Sequence, residues 1–322
     1  MIESIVARVR PYALPFAVLI ITWIVIAVLT PNFRGTGSFY AVLEGFPLIG
    51  IVTLGLAVTI IAGELDLSVG SMAAFAATIA VLTTPVGLVG CVLIATSVGI
   101  VFGAVQGMLI ARLQINSLVF TIGTLILLRG LTYIFSGHAP IVISNIEITD
   151  ILLDRYGIFS VRSIVAIVVF VIAGLFLTYT RWGREIFAIG GARNEAIAAG
   201  VPRVRPLAVS FAISAGCASL AGALAAMLGG SASPQNYEDL LLSAAAAALL
   251  GGISLYGGRG TVLNVALGVA VLSLVGAGLA ARGSSASLVQ LVTGGLLLAM
   301  IAIEFLAGRL TLQSSIFRRR IP

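Results

Sequence analysis

The 322-residue chain contains no lysine; every basic residue is an arginine. A phosphate-binding loop of the GxxxxGK[ST] type needs its lysine to reach the β- and γ-phosphates. The chain cannot build that loop, so any ATP-driven work would have to be done by a partner. Charge is scarce in general, at 9% of residues against about 25% in an ordinary soluble domain. The two cysteines, Cys91 and Cys217, fall inside apolar runs without CxxC or metal-ligand spacing, and read as small buried hydrophobes. The single histidine, His138, lies in SGHAP at the end of an apolar run, where a solvated loop residue is the simplest reading. With no HExxH pattern and no further clustered acids, an intramembrane enzyme has no reactive set to draw on. The net charge of +6 is not a nucleic-acid footprint either, because the arginines sit at the ends of apolar runs instead of on one soluble face.

What the chain has is hydrophobicity. It is 60% hydrophobic with a mean hydropathy of +1.17. Apolar runs near the roughly 20 residues that cross a bilayer recur from end to end. The pattern predicts an all-α polytopic membrane protein forming one transmembrane domain over 1–322. About ten spans are expected, near 12–30, 45–62, 67–84, 86–111, 117–136, 161–180, 206–228, 240–256, 261–281 and 287–306. The run after Arg8 and Arg10 is long and has no A-x-A site behind it, so it reads as a retained first span and not a cleaved leader. Pro85 suits a tight turn between two spans.

Arginine in short loops sets the expected orientation. With a cytoplasmic N-terminus, one side receives Arg8, Arg10, Arg112, Arg181, Arg184, Arg193, Arg203, Arg205, Arg259, Arg309, Arg318, Arg319 and Arg320. The other side receives Arg34, Arg155, Arg162 and Arg282, and Arg129 is left within the fifth span. Thirteen against four places both termini, including a basic tail at about 307–322, in the cytoplasm. The fourth span carries Gly99, Gly103 and Gly107 at i, i+4 and i+8, a spacing that lets another helix backbone approach closely. Ser214, Ala218 and Gly222 form a weaker version on the seventh.

The longest segment on the arginine-rich side is RWGREIFAIGGARNEAIAAGVPRVR, 181–205. Its middle is a good helix-former started by Asn194 or the preceding glycine pair, with Gly200 as a left-handed stop and Pro202 beyond it. A short amphipathic helix here is something a peripheral partner could grip. The pattern GG-x-x-x-EA-x-x-x-G resembles the coupling loop of ATP-binding-cassette (ABC) transporter permeases. GELDLSVGS, 63–71, resembles the GGIDLSVGS stretch of the sugar-importing branch, the ribose, xylose, arabinose and galactose permeases. GMLIARLQINSLVFTIGTLILLRGL and NYEDLLLSAAAAALLGGISLYGGRGT resemble further segments of that branch in the expected order, so the resemblance covers roughly 40–305. Glu64 stands where the branch usually has glycine, and Asn116 and Ser117 where it often has proline.

The resemblance implies a permease subunit in the bacterial inner membrane, not itself an enzyme and without a cofactor, since ATP would be bound by the partner. The implied partners are a cytoplasmic ABC ATPase, a periplasmic sugar-binding protein and a second permease chain, identical or paralogous. Arg193, Asn194, Glu195 and Gly200 are the implied ATPase-coupling residues. The outer loops at about 137–160 and 229–239, with Glu147, Asp150, Asp154, Arg155, Glu238 and Asp239, would receive the binding protein. The same architecture could carry another small polar cargo, such as a furanose signal molecule or a nucleoside. An ion-coupled secondary transporter using Glu64 and Asp66 is the further rival.

Between Gly45 and Thr84 the only charges are Glu64 and Asp66. Three readings are open for them: a helix cap in which Asp66 accepts N–H groups around Ser68, a broken helix lining a pathway, or a contact surface for a partner. GGISLYGG, 251–258, echoes GELDLSVG with Ser254 in the place of Asp66, and a cap at a helix–helix turn explains both stretches. Glu64 has no evident structural need. Intramembrane Gln106, Asn264 and Gln290 are pathway candidates, each equally explained by interhelical hydrogen bonding. Arg129 is expected near the outer end of its span, snorkelling or paired.

Overall fold

The computed structural model describes residues 2–30, 33, 35–144 and 146–318. Among these, the chain forms α1 (Ile2–Leu29), α2 (Thr36–Ile61), α3 (Val69–Leu82), α4 (Leu88–Leu113), α5 (Ser117–Ser136), α6 (Asp150–Leu153), α7 (Val161–Tyr179), α8 (Arg181–Gly191), α9 (Arg193–Ala198), α10 (Val204–Gly229), α11 (Leu240–Leu250), α12 (Val262–Ala281) and α13 (Ala286–Arg318). Arg34, Arg319 and Arg320 of the charge count lie outside the described residues. Two small antiparallel pairs cap one end: β1 (Ile141–Val142) with β4 (Ser231–Ala232), and β2 (Arg155–Tyr156) with β3 (Phe159–Ser160).

Seven of the helices are long and apolar enough to cross a bilayer; 69–82, 240–250 and 286–302 form shorter apolar helices. At 1.5 Å per residue, α3 covers about 21 Å and α11 about 16 Å of a hydrocarbon layer about 30 Å thick. Neither is long enough to cross by itself. The expected span 240–256 therefore ends early, at Leu250. The turn that follows contains Gly252, Gly257 and Gly258, all at positive φ, which a continuing helix cannot accommodate.

The middle of the bundle is α10, flanked by α2, α3 and α4. The predicted glycine stripe on α4 faces it. A side chain on Gly99, Gly103 or Gly107 would strike backbone at Ala215, Phe211 and Leu207 respectively. Glycine is what lets two helices approach this closely, with backbone carbonyls of one against Cα of the other. On other faces of α10, Gly222 receives the Ala73 backbone of α3, and Ser214 and Cys217 receive Gly55 of α2. Cys217 and Cys91 are free and buried, as read from the sequence, with the Cys91 sulfur 3.6 Å from the Met227 sulfur. Arg162 and Glu44 pair between α7 and α2, and Ser163 donates to the Leu43 carbonyl at 3.0 Å across the same contact.

These contacts fix depth. Ala73 is level with Gly222, so α3 begins beside the middle of α10. Gly70, nearly one turn before Ala73, lies against the carbonyl oxygen of Tyr237, just before α11. The non-helical segment 233–239, entering from the other end, thus meets the first turn of α3 midway along the bundle.

Gly103→Leu is expected to destabilise the solubilised protein by at least 1–3 kcal/mol through overpacking against Phe211. Gly123→Ala on α5, with nothing within 4 Å of the added carbon, should instead stabilise by about 0.5–1 kcal/mol, the cost of glycine inside a helix. Thermal unfolding in detergent measures both.

Candidate functional site

The segment after α2 turns sharply at Gly63, whose φ of +77° favours glycine, and the Glu64 N–H returns to the Thr59 carbonyl at 2.9 Å. Glu64 then reaches the loop helices. Its carboxylate accepts from Arg193 at 2.7 Å, and the same guanidinium nitrogen lies 3.4 Å from the Ala62 carbonyl. Glu64, which seemed without a role, is thus the partner of a residue 129 positions away. Gly190, near the end of α8, sits directly on the Ile61 carbonyl, which also accepts the Gly258 N–H at 2.8 Å. Gly257 packs on Gly63. The two sequence echoes therefore touch one another, beside the loop helices. They share a turn in which the side chain accepts the N–H two residues on, Asp66 from Ser68 and Ser254 from Tyr256. The Ser254 hydroxyl accepts from the Tyr256 N–H at 3.3 Å within its own turn, whereas α12 is capped by Thr261, which accepts from Asn264 N–H.

The loop 181–205 contains two helices where one was expected. α8 is separate because Thr180 leaves helical geometry and caps it, accepting the Gly183 N–H at 3.0 Å. Its Glu185 is 5% exposed and is gripped by Arg181 at 2.9 Å and by both arms of Arg205, tying α8 to the start of α10. Glu185 was missed; the spacing Arg181-x-x-x-Glu185 was the available signal. α9 begins at Arg193, after Ala192, and ends as read. Gly200 stands at φ +88°, its N–H bonded to the Ile197 carbonyl and that of Val201 to Ala196, a Schellman stop. Asn194, Glu195 and Gly200 are exposed, while Arg193 turns back toward Glu64.

Asp66 does not surface. It is 1% exposed and accepts from Ser68 N–H at 3.0 Å, Ser68 hydroxyl at 2.5 Å, Ser214 hydroxyl of α10 at 2.8 Å and Gln106 amide of α4 at 3.4 Å. The bond to Ser68 N–H is a turn just ahead of α3, whose N-cap Ser68 makes no side-chain cap bond, and the bonds to α4 and α10 make the segment a buried break. Ser117 and Thr121 of α5 close the cluster from the side, on the Leu65 N–H (3.3 Å) and carbonyl (3.4 Å). The other pathway candidates do not join Gln106. Asn264 bonds the Gly251 carbonyl at 2.7 Å, linking the ends of α11 and α12, and Gln290 of α13 bonds Asp239 at 2.5 Å. Arg129 is paired, with Glu238 at 3.1 Å, and is not at the end of its helix. Glu238 and Asp239, expected on an outer loop, flank the mid-bundle contact of Tyr237 with Gly70.

A bundle of apolar helices with two mid-bundle breaks and a paired-helix loop at one end defines a membrane-embedded permease. The chain belongs to the family described as the branched-chain amino acid transport system / permease component, whose model matches residues 38–301. It is accordingly a multi-pass protein of the inner membrane and a transport subunit. It is 27% identical over 290 residues to the ribose import permease protein RbsC of Escherichia coli K12, covering 87% of this chain and 89% of that protein. It is 30% identical to the L-arabinose ABC transporter permease protein AraH of Azospirillum brasilense, covering 89% and 85%. It is 26% identical to the fructose import permease protein FrcC of Rhizobium meliloti, covering 91% and 85%. No solved structure matches the chain.

Asp66→Ala is expected to lower stability by about 3 kcal/mol, because it strips the Ser68 and Ser214 hydroxyls of their acceptor at a buried site, while Asp66→Asn should lose less. Denaturation in detergent separates the two. Arg193→Glu should impair transport and the exchanged pair Glu64→Arg with Arg193→Glu should recover part of it; an uptake assay on the single and double variants reads the coupling between them.

Proposed function

We propose that the chain is the membrane-spanning subunit of an ABC importer for a monosaccharide, delivered by a periplasmic binding protein and driven by a separate ATPase. The observation that carries this reading is the exposed α9, joined through Arg193 to Glu64 and hence to the segment holding Asp66. A rigid-body push on α9 would act on the mid-bundle break through that short connection. The names of the relatives favour a sugar as cargo, and the family description, which speaks of amino acids, does not by itself fix it.

Arg193, Asn194, Glu195 and Gly200 are assigned to ATPase coupling, and Glu64, Asp66 and Ser68 to the linked turn. The absence of lysine supports leaving the nucleotide site to the partner. The arginine bias supports ten crossings with both ends cytoplasmic, three of the ten being the shorter apolar stretches 69–82, 240–250 and 286–302. A second permease chain, identical or related, completes the complex. The exposed segment 137–160 at the strand end is the surface for the binding protein.

Purification in mild detergent from the native host is expected to bring down a P-loop ATPase. In proteoliposomes the complex should take up a pentose or hexose with ATP and be indifferent to an uncoupler. Uptake of a nucleoside alone would reassign the cargo, and uptake that collapses with the uncoupler would reassign the mechanism. Glu195→Ala combined with Gly200→Val should cut uptake at least about tenfold while ATP hydrolysis continues, the latter substitution straining a left-handed residue by roughly 1–2 kcal/mol.

A further inference from the structure

The mid-bundle junction carries charges that face away from the protein. Arg129 and Glu238 pair at 3.1 Å with their side chains 44% and 51% exposed. Asn236 is exposed beside them, and Ser71 of α3 is half-buried in the same cleft. Two independent contacts give their depth. Tyr237 meets Gly70, and α3 begins level with the middle of α10. On α5, Thr121 lies 3.4 Å from the Leu65 carbonyl, and Arg129 is about 12 Å further along the helix, level with the first turn of α3. A charged side chain toward lipid at this depth is strongly unfavourable. A half-exposed ion pair there has to face an aqueous path or a neighbouring chain.

The backbone at this point is also held in an unusual form. Tyr237 has φ +71°, in the left-handed region that bulky side chains rarely adopt, and its carbonyl is fixed against Gly70, where a side chain would collide. Strain of this kind persists only where the surroundings over-determine it. Here it sets Asn236 and Glu238 on the open side of the turn.

We infer that Arg129, Asn236, Glu238 and Ser71 form the site at which the neutral, hydroxyl-rich cargo rests midway across the membrane. The inference depends on the sugar-permease reading. A guanidinium offers only donors and a carboxylate only acceptors, so the pair can exchange its mutual bond for bonds to vicinal hydroxyls. The pair has no net charge and therefore neither attracts nor traps ions. Leu67 and Leu125 line the same cleft, whose volume of about 40 Å³ admits a water, so a sugar ring enters only as the Arg129–Glu238 pair separates.

The test uses the complete complex in proteoliposomes, with an Asn236→Cys variant treated with a charged methanethiosulfonate reagent; the native cysteines, Cys91 and Cys217, are buried. The cysteine is expected to label, and saturating transported sugar to slow labelling about tenfold. Glu238→Gln and Arg129→Gln are each expected to reduce uptake at least tenfold, the effect of losing a charge-assisted hydrogen bond. No labelling, labelling that sugar does not slow, or unchanged uptake in both charge variants overturns the site while wild-type sugar uptake stands. If the Asn236→Cys complex labels but the wild-type complex moves no sugar, the cargo reading itself is overturned, and this site with it.

Discussion

Asp66 is a carboxylate with no access to water, and it holds its place only by accepting hydrogen bonds from several elements at once. Removing an ionised carboxylate from water costs several kcal/mol, so its position is set by where those donors stand. Ser68 supplies two bonds locally, while Gln106 and Ser214 supply one each from α4 and α10. This fastens the segment between α2 and α3 to the central helices. The same seven residues carry Glu64, which grips Arg193 at the start of α9. The mid-bundle break and the surface helix are therefore tied to the same short segment.

The close approach of the helices rests on the absence of side chains where they cross. Gly99, Gly103 and Gly107 admit α10 to α4, Gly222 admits α3, and Gly190 admits the end of α2 to α8. These contacts place α3 at half depth, which makes room for the opposite segment 233–239 to enter from the strand end. The turn before α11 lies on the first turn of α3, and polar groups collect around that junction midway along the bundle. Arg129, Glu238, Asp239 and Gln290 satisfy one another in pairs at this level.

Much of the architecture was readable from local pattern. Hydrophobic runs, the i, i+4 glycine stripe and the Gly200 stop each depend on neighbours within one or two helical turns, so periodicity and turn chemistry reveal them. The coupling-loop motif and GELDLSVGS carried the family in the same way. The shorter α11 was half-visible in its glycines, but hydrophobicity continued past them and concealed its end. The end of the span at Thr180 was legible, but α8 was read as plain loop, because the contact that holds it, Glu185 with Arg205 of α10, arises only in packing.

Composition alone determined that this is a helical membrane protein with no lysine for a nucleotide loop, because solvent preference and residue chemistry need no folded context. Only the tertiary structure decided which polar residues act together. Glu64 finds Arg193 across 129 positions, Asp66 finds Ser214 across 148, and Arg129 finds Glu238 from another helix. No periodicity records such pairs, since they arise where distant segments pack. Depth is likewise a property of packing: Glu238 reads as an outer-loop residue in sequence, and the contact of Tyr237 with Gly70 carries it to the middle of the bundle.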